Sequence, residues 1–253
     1  MVYDLQKAGI WKRIAAWMFD GIILSVLAVG MGALISFLVG YDGYSEKLDK
    51  AYAKYEAEYG IVLDISQTAY QEMEEAERLN YDAAYEALIG DEEAMYAYNM
   101  MLNLSFVILS LGILGAYLIW EFAVPLLFGN GQTLGKKVFG LCLMRNDGVK
   151  VNTMQMFART VLGKFTIETM IPVYLILMLF WGTMDITGVI VIALLAIGQA
   201  ACIIATRTNS AIHDLLAGTT AVDMASQKIF PTTEAMIEYK KKLAAEKAAQ
   251  QEY

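Results

Sequence analysis

Residues 13–39 read RIAAWMFDGIILSVLAVGMGALISFLV. An arginine opens the run, one aspartate interrupts it, and from Gly21 to Val39 there is no further charge. Ile14 to Val39 is 26 residues, more than the ~20 helical residues that cross a hydrocarbon core of ~30 Å. Arg13 and Asp20 stand seven residues apart, which is two helical turns, so both lie on one face of one helix. A charge inside a membrane span is costly and faces the protein interior, where it marks a working site. The spacing recurs at Arg207 and Asp214, beside His213, the only histidine. Lys7, Lys12 and Arg13 precede the apolar run as in a signal peptide. The run exceeds the ~7–15 residues of a signal h-region and ends in no small-residue cleavage site, so it reads as a retained first span.

The composition agrees with a membrane protein. The chain has 253 residues, 57% of them hydrophobic, and a mean hydropathy of +0.45, too apolar for an ordinary soluble domain. The net charge of −8 is unevenly spread. Residues 41–98 hold 15 Asp/Glu against 4 Lys/Arg, and the rest holds 12 against 15. An acidic domain is therefore inserted into a mildly basic membrane protein. No basic stripe with interleaved aromatics appears, which argues against nucleic acid as a partner. Cys142 and Cys202 read as one cytoplasmic and one intramembrane thiol, not a disulfide. No Cys/His cluster has zinc-ligand spacing, and neither a metal nor a cofactor is expected.

The fold class that follows is all-α integral membrane: a four-helix transmembrane bundle with spans near 14–39, 100–127, 165–182 and 187–205. The last two form a hairpin through a short link around Asp185. The segment 129–164 carries Lys136, Lys137, Arg145, Lys150, Arg159 and Lys164 against Asp147 alone. The tail carries Arg207, Lys228 and Lys240 to Lys242. The positive-inside rule places both, and the N-terminus, in the cytoplasm. The acidic insert is then extracytoplasmic. The resulting divisions are 1–40, the insert 41–98, 99–128, the basic segment 129–164, the 165–205 hairpin, a juxtamembrane segment 206–224 and a helical tail 225–253.

The insert reads as a helical hairpin. Tyr52, Tyr55 and Tyr59 share one helical face, Gly60 stops that helix, and Asp64 or Ser66 caps the next. Tyr70, Met73, Tyr81, Tyr85 and Leu88 form a second stripe, ended by Gly90. Packing of the two helices explains these stripes better than a binding surface does, although a contact surface for a partner stays open. In the basic segment, Asn146-Asp147-Gly148 between apolar runs signals a β-hairpin over Leu141 to Val151. Asn152 or Thr153 then caps a separate amphipathic helix that precedes the third span. The tail from Pro231 reads as a solvated, frayed helix.

Two motifs invite enzymatic readings and fail. Gly131-Gln132-Thr133-Leu134-Gly135-Lys136-Lys137 has the wrong gap for a P-loop and no Ser or Thr after the lysine. A turn with lysines at the headgroups fits it better. His213-Asp214 resembles a base with its orienting carboxylate, but no nucleophile is placed beside it. The chain is not expected to be an enzyme. Asp20, Glu121, Glu168 and Asp214 all fall toward the cytoplasmic half of the bundle, level with Arg13, Arg159, Lys164 and Arg207. They form either a cation or proton site reached from inside, or ion pairs that staple the helix ends.

Together these pieces resemble the RDD family of bacterial membrane proteins, named for one arginine and two aspartates. The resemblance rests on Ala8 to Asp20, on Gly131 to Lys137 with Gly140-Leu141, on Asp147-Gly148, on Arg159, and on Ile212-His213-Asp214-Leu215-Leu216-Ala217-Gly218-Thr219. It covers about 1–40 and 100–224. It implies that Arg13, Asp20 and Asp214 are the family's arginine and aspartates, with Arg159 and the Thr133, Gly135, Lys136 turn as secondary marks. It also implies a bacterial inner-membrane location and cation- or proton-coupled transport, sodium–proton exchange having been suggested for some members. A path through four spans favours a homo-oligomer. The alternative is a non-transporting accessory protein whose acidic ectodomain binds a partner.

Overall fold

The computed structural model describes residues 5–251. They divide into two compact units, residues 29–112 and residues 5–28 with 113–251. Four helices are long and apolar enough to cross a membrane: α1 (Ile10–Val39), a helix over Glu92–Phe128, one over Thr153–Phe180 and one over Ile186–Ala205.

The unit 29–112 is helical. α2 (Tyr41–Tyr59) ends on Gly60, whose φ of 66° makes a left-handed cap. Only glycine takes that conformation without cost. α3 (Gln67–Glu72) starts where the Ser66 hydroxyl accepts from the Ala69 N–H, and α4 (Glu75–Gly90) follows. The predicted second helix is thus broken, because Met73 and Glu74 adopt extended backbone. The Arg78 guanidinium takes up the freed carbonyls of Gln71 and Met73 at 3.1 and 3.2 Å. Tyr55, Leu63, Ala84, Leu88 and Ala94 form the core of this unit, with Tyr52, Tyr59 and Tyr81 packed against them. The hydroxyl of Tyr55 donates to Asp91 at 3.0 Å and that of Tyr81 to the Leu63 carbonyl at 3.0 Å. The tyrosine stripes hold these helices together. Asp91 caps α5 (Glu92–Phe128) by accepting from Ala94.

The other unit carries the charged residues. α5 widens into a π-helical turn at Leu118–Ala123. α6 (Leu134–Val138) and β1 (Leu141–Arg145) come next. α7 (Thr153–Phe180) starts at a full capping box between Asn152 and Gln155 and is π-helical over Ala158–Met170. The amphipathic helix and the third span are therefore one helix, since no residue between Thr153 and Phe180 stops it. Asp185 caps α8 (Ile186–Ala205) by accepting from Thr187 and Gly188. Short α9 (Ile212–Ala217) and β2 (Thr219–Asp223) follow, and α10 (Thr233–Gln251) closes the chain.

The fold is not purely helical, because β1 pairs antiparallel with β2, Leu141 opposite Asp223 and Arg145 opposite Thr219. The Asp147-Gly148 turn forms, with Arg145 donating to Val149 at 2.8 Å. Its return limb gives only one bridge back, Met144 to Lys150. The Lys150 N–H is spent on the Phe230 carbonyl instead, so the ladder of β1 goes to β2. The start of the tail is anchored, not solvated: Phe230 and Met236 are buried against Val149.

Candidate functional site

The charges predicted one by one from the sequence meet in a single buried network. Asp20 is its first member. It sits on α1 with its carboxylate against the turn that opens α6. The Gly135 N–H donates to it at 2.9 Å, the Trp120 indole at 3.1 Å, and the Thr133 hydroxyl also donates. Thr133 is the N-cap of α6, so Asp20 lies at a helix start, where N–H groups point outward unpaired. Gly135 is needed for this approach. A Cβ there would lie 2.5 Å from the Ala16 carbonyl and 2.8 Å from Asp20 Cγ.

Glu121 is the second centre. It stands in the π turn of α5 and is 4% exposed. Three cations share it: Lys136 at 3.3 Å, Lys164 in direct contact, and Arg159 at 3.9 Å. Lys136 also lies 4.0 Å from Asp20, which joins the first two centres. Burial pushes the Lys136 ammonium down to about 8, against the pull of Glu121. Arg159 and Lys164 are five residues apart in the π segment of α7. There the i→i+5 hydrogen-bond register puts such residues on one face.

Asp214 is the third centre and is wholly buried. Arg159 Nε meets it at 2.9 Å and Arg13 at 3.5 Å, and the Thr219 hydroxyl donates at 3.1 Å. Burial would raise its pKa, but Arg159 above all, with Arg13, outweighs burial and holds it below the usual carboxylate range. Arg13 additionally donates to the Asn209 carbonyl. Asn209 has φ 50° and is the one non-glycine residue at positive φ among those described.

His213 completes the chain of contacts. Its Nδ1 lies 2.7 Å from Glu168 Oε2, and its Nε2 lies 2.9 Å from Arg159 Nη2. An arginine only donates, so Nε2 must accept and Nδ1–H must donate to Glu168. That is the neutral imidazole. Burial lowers the His213 pKa and Arg159 lowers it further, while Asp214 and Glu168 oppose. The helices touch closely here, since a Cβ on Gly163 would fall 2.5 Å from that of His213.

Arg13, Asp20, Glu121, Lys136, Arg159, Glu168, His213 and Asp214 are thus brought together, with Thr133 and Gly135 as predicted turn residues. Arg207 is not joined to this network among the described residues. α8 ends at Ala205, so the seven-residue spacing from Arg207 to Asp214 spans a turn and carries no helical meaning. Arg13 and Asp20 share a helix but serve different centres. Trp120, Thr160, Gly163 and Asn209 were not anticipated, and Thr219 figured only as the end of the Ile212–Thr219 motif. Thr160 donates to the Glu121 backbone carbonyl at 2.9 Å.

A cavity of about 570 Å³ opens beside the network, within the ~300–1,000 Å³ common for ligand pockets. Arg13, Asp20, Glu121, Lys136, Arg159, Lys164, Glu168 and His213 line it, together with mostly apolar residues of α1, α7 and α8. Among the described residues no His/Cys/Asp/Glu group is arranged to hold a metal ion. Cys142 and Cys202 are both free thiols.

A family model described as the RDD family matches residues 7–218. The match spans the helices of the network and ends at Gly218, one residue before β2. No curated protein and no solved structure matches the chain.

Proposed function

We propose, from the premise that the chain belongs to the RDD family, that this multi-pass membrane protein carries out proton-coupled transport through the cavity of the charged unit. One observation carries this reading: neutral His213 bridges Glu168 and Arg159 at the cavity wall. Protonation makes Nε2 a donor facing an arginine, so the Arg159 contact breaks. Arg159 also holds Asp214 and Glu121, and one proton thereby loosens two carboxylate contacts at once. A bare metal cation fits less well, because every carboxylate in the network already has a basic partner. The basic 129–164 segment and tail support cytoplasmic termini in a bacterial inner membrane, with the acidic insert outside. Four spans per chain favour a homo-oligomer. The test is pH-dye flux in vesicles reconstituted with purified protein. His213→Gln and Asp20→Asn are expected to abolish proton-linked flux at normal protein levels, and unchanged flux in both folded variants would sink the reading.

A second reading is a non-transporting accessory protein that binds a partner through the insert. It is favoured by the separate core that Tyr55, Leu63, Ala84 and Leu88 give that unit. No flux in vesicles with the parent protein, together with a copurifying partner that is lost on deleting residues 44–90, would support it.

A further inference from the structure

The cavity has two chemically distinct walls. Ile14, Trp17, Ile192 and Leu195 supply an apolar wall from α1 and α8. Trp17 and Ile14 are also exposed on α1, 70% and 40%, so this wall reaches the protein surface. At the other wall four cations, Arg13, Lys136, Arg159 and Lys164, face three carboxylates, Asp20, Glu121 and Glu168. Lys136, Arg159 and Lys164 crowd around the single carboxylate of Glu121. Asp214 is spent on Arg159 Nε, Arg13 and Thr219. Arg159 Nη1 has no hydrogen-bond acceptor among the described residues, although Arg159 is only 3% exposed. A buried arginine N–H without an acceptor is uncommon and calls for a partner. An anionic oxygen at this wall would supply that acceptor and relieve the crowding of three cations.

We propose that this cavity binds a single-chain amphiphile with an anionic head, either a carboxylate or a phosphate monoester. The head lies against Lys136, Arg159 and Lys164, and the chain runs along Ile14, Trp17, Ile192 and Leu195. The inference rests on the reading of this cavity as the working site and names its ligand class. It is tested by occupancy, not by flux, so either reading can fail alone.

Full-length protein in phosphatidylcholine nanodiscs is exposed to hexadecyl phosphate, palmitate, hexadecanol or inorganic phosphate, and retained molecules are counted by native mass spectrometry. Hexadecyl phosphate or palmitate should be retained at one per chain, at least about tenfold over hexadecanol, the scale of a charged hydrogen bond. Inorganic phosphate should not displace it at equal concentration. Lys164→Gln should weaken retention about tenfold. Leu195→Trp, or Ile192→Trp where the first does not fold, should block the chain while sparing every charged residue. Equal retention of hexadecanol overturns the anionic head. Displacement by inorganic phosphate at equal concentration overturns the chain contact. Undiminished retention in the tryptophan variants places the lipid on an outer surface and overturns the site.

Discussion

The Thr160 hydroxyl of α7 donates to the backbone carbonyl of Glu121 in α5 at 2.9 Å. Four residues after Glu121 stands Pro125, which has no N–H to offer that carbonyl. A side chain of another helix thus supplies a hydrogen bond that the proline withholds, at the residue on which three cations converge. α7 has the same spacing, with Pro172 four residues after Glu168.

Thr160→Val keeps the shape of the side chain and leaves that carbonyl without its donor. The expected loss is about 1–3 kcal/mol, read as a lower melting temperature of the detergent-solubilised protein. Thr160→Ser should retain most of the stability.

Gly135→Ala should destabilise by about 1–3 kcal/mol, because the new methyl meets backbone and the Asp20 carboxylate. Gly21→Ala is the matched control. It lies inside α1, its Cβ meets nothing within 4 Å, and helix propensity favours alanine by about 1 kcal/mol. Equal effects from the two would show that Gly135 is not needed for close approach.

Asp214→Asn strips Arg159 and Arg13 of their carboxylate and leaves buried positive charge, at a cost of about 3–5 kcal/mol. Adding Arg159→Met should recover part of it. Arg207→Ala should stay within about 0.5 kcal/mol of the parent. A comparable loss in Arg207→Ala would restore the pairing that its spacing suggested.

His213 gives stability a pH dependence of definite sign. Its folded pKa lies below the ordinary value, which is about 6.5 in an unfolded chain. In the interval between them the unfolded chain binds the extra proton, so stability rises with pH there. The contribution is fully present above about 6.5 and is lost as pH falls through the folded value. Glu168, Asp214, Arg159 and Lys164 surround the ring, and the first two limit the shift. Between pH 7.5 and 5 the parent should lose more melting temperature than His213→Gln. Parallel curves would remove His213 as the titrating group.

Apolar length and charge were legible in the sequence because a span needs only local composition. Arg13, Asp20 and Asp214 were legible because a charge beside or within apolar sequence is conspicuous wherever it pairs. Their partners were not, since pairing depends on which helices meet. The two π segments left no local mark beyond Pro125 and Pro172, and they set the facing of Glu121, Arg159 and Lys164. β2 was hidden because Thr219 to Asp223 is too short to announce a strand without its partner. The return limb of the Asp147-Gly148 turn misled for the converse reason: its turn chemistry was correct, but its Lys150 N–H was taken by the Phe230 carbonyl.

The partners of Asp20 come from Trp120, Thr133 and Gly135, 100 to 115 residues further along the chain. Arg13 waits for Asp214, 201 residues away. At a synthesis rate of about 5–20 residues per second, the first helix leaves the ribosome roughly 5–20 seconds before any donor to its carboxylate exists. During that interval Asp20 has none of the donors that hold its carboxylate in the folded protein. The polar contacts that tie α1 to the rest of the unit therefore form only after α5 and α6 have been made.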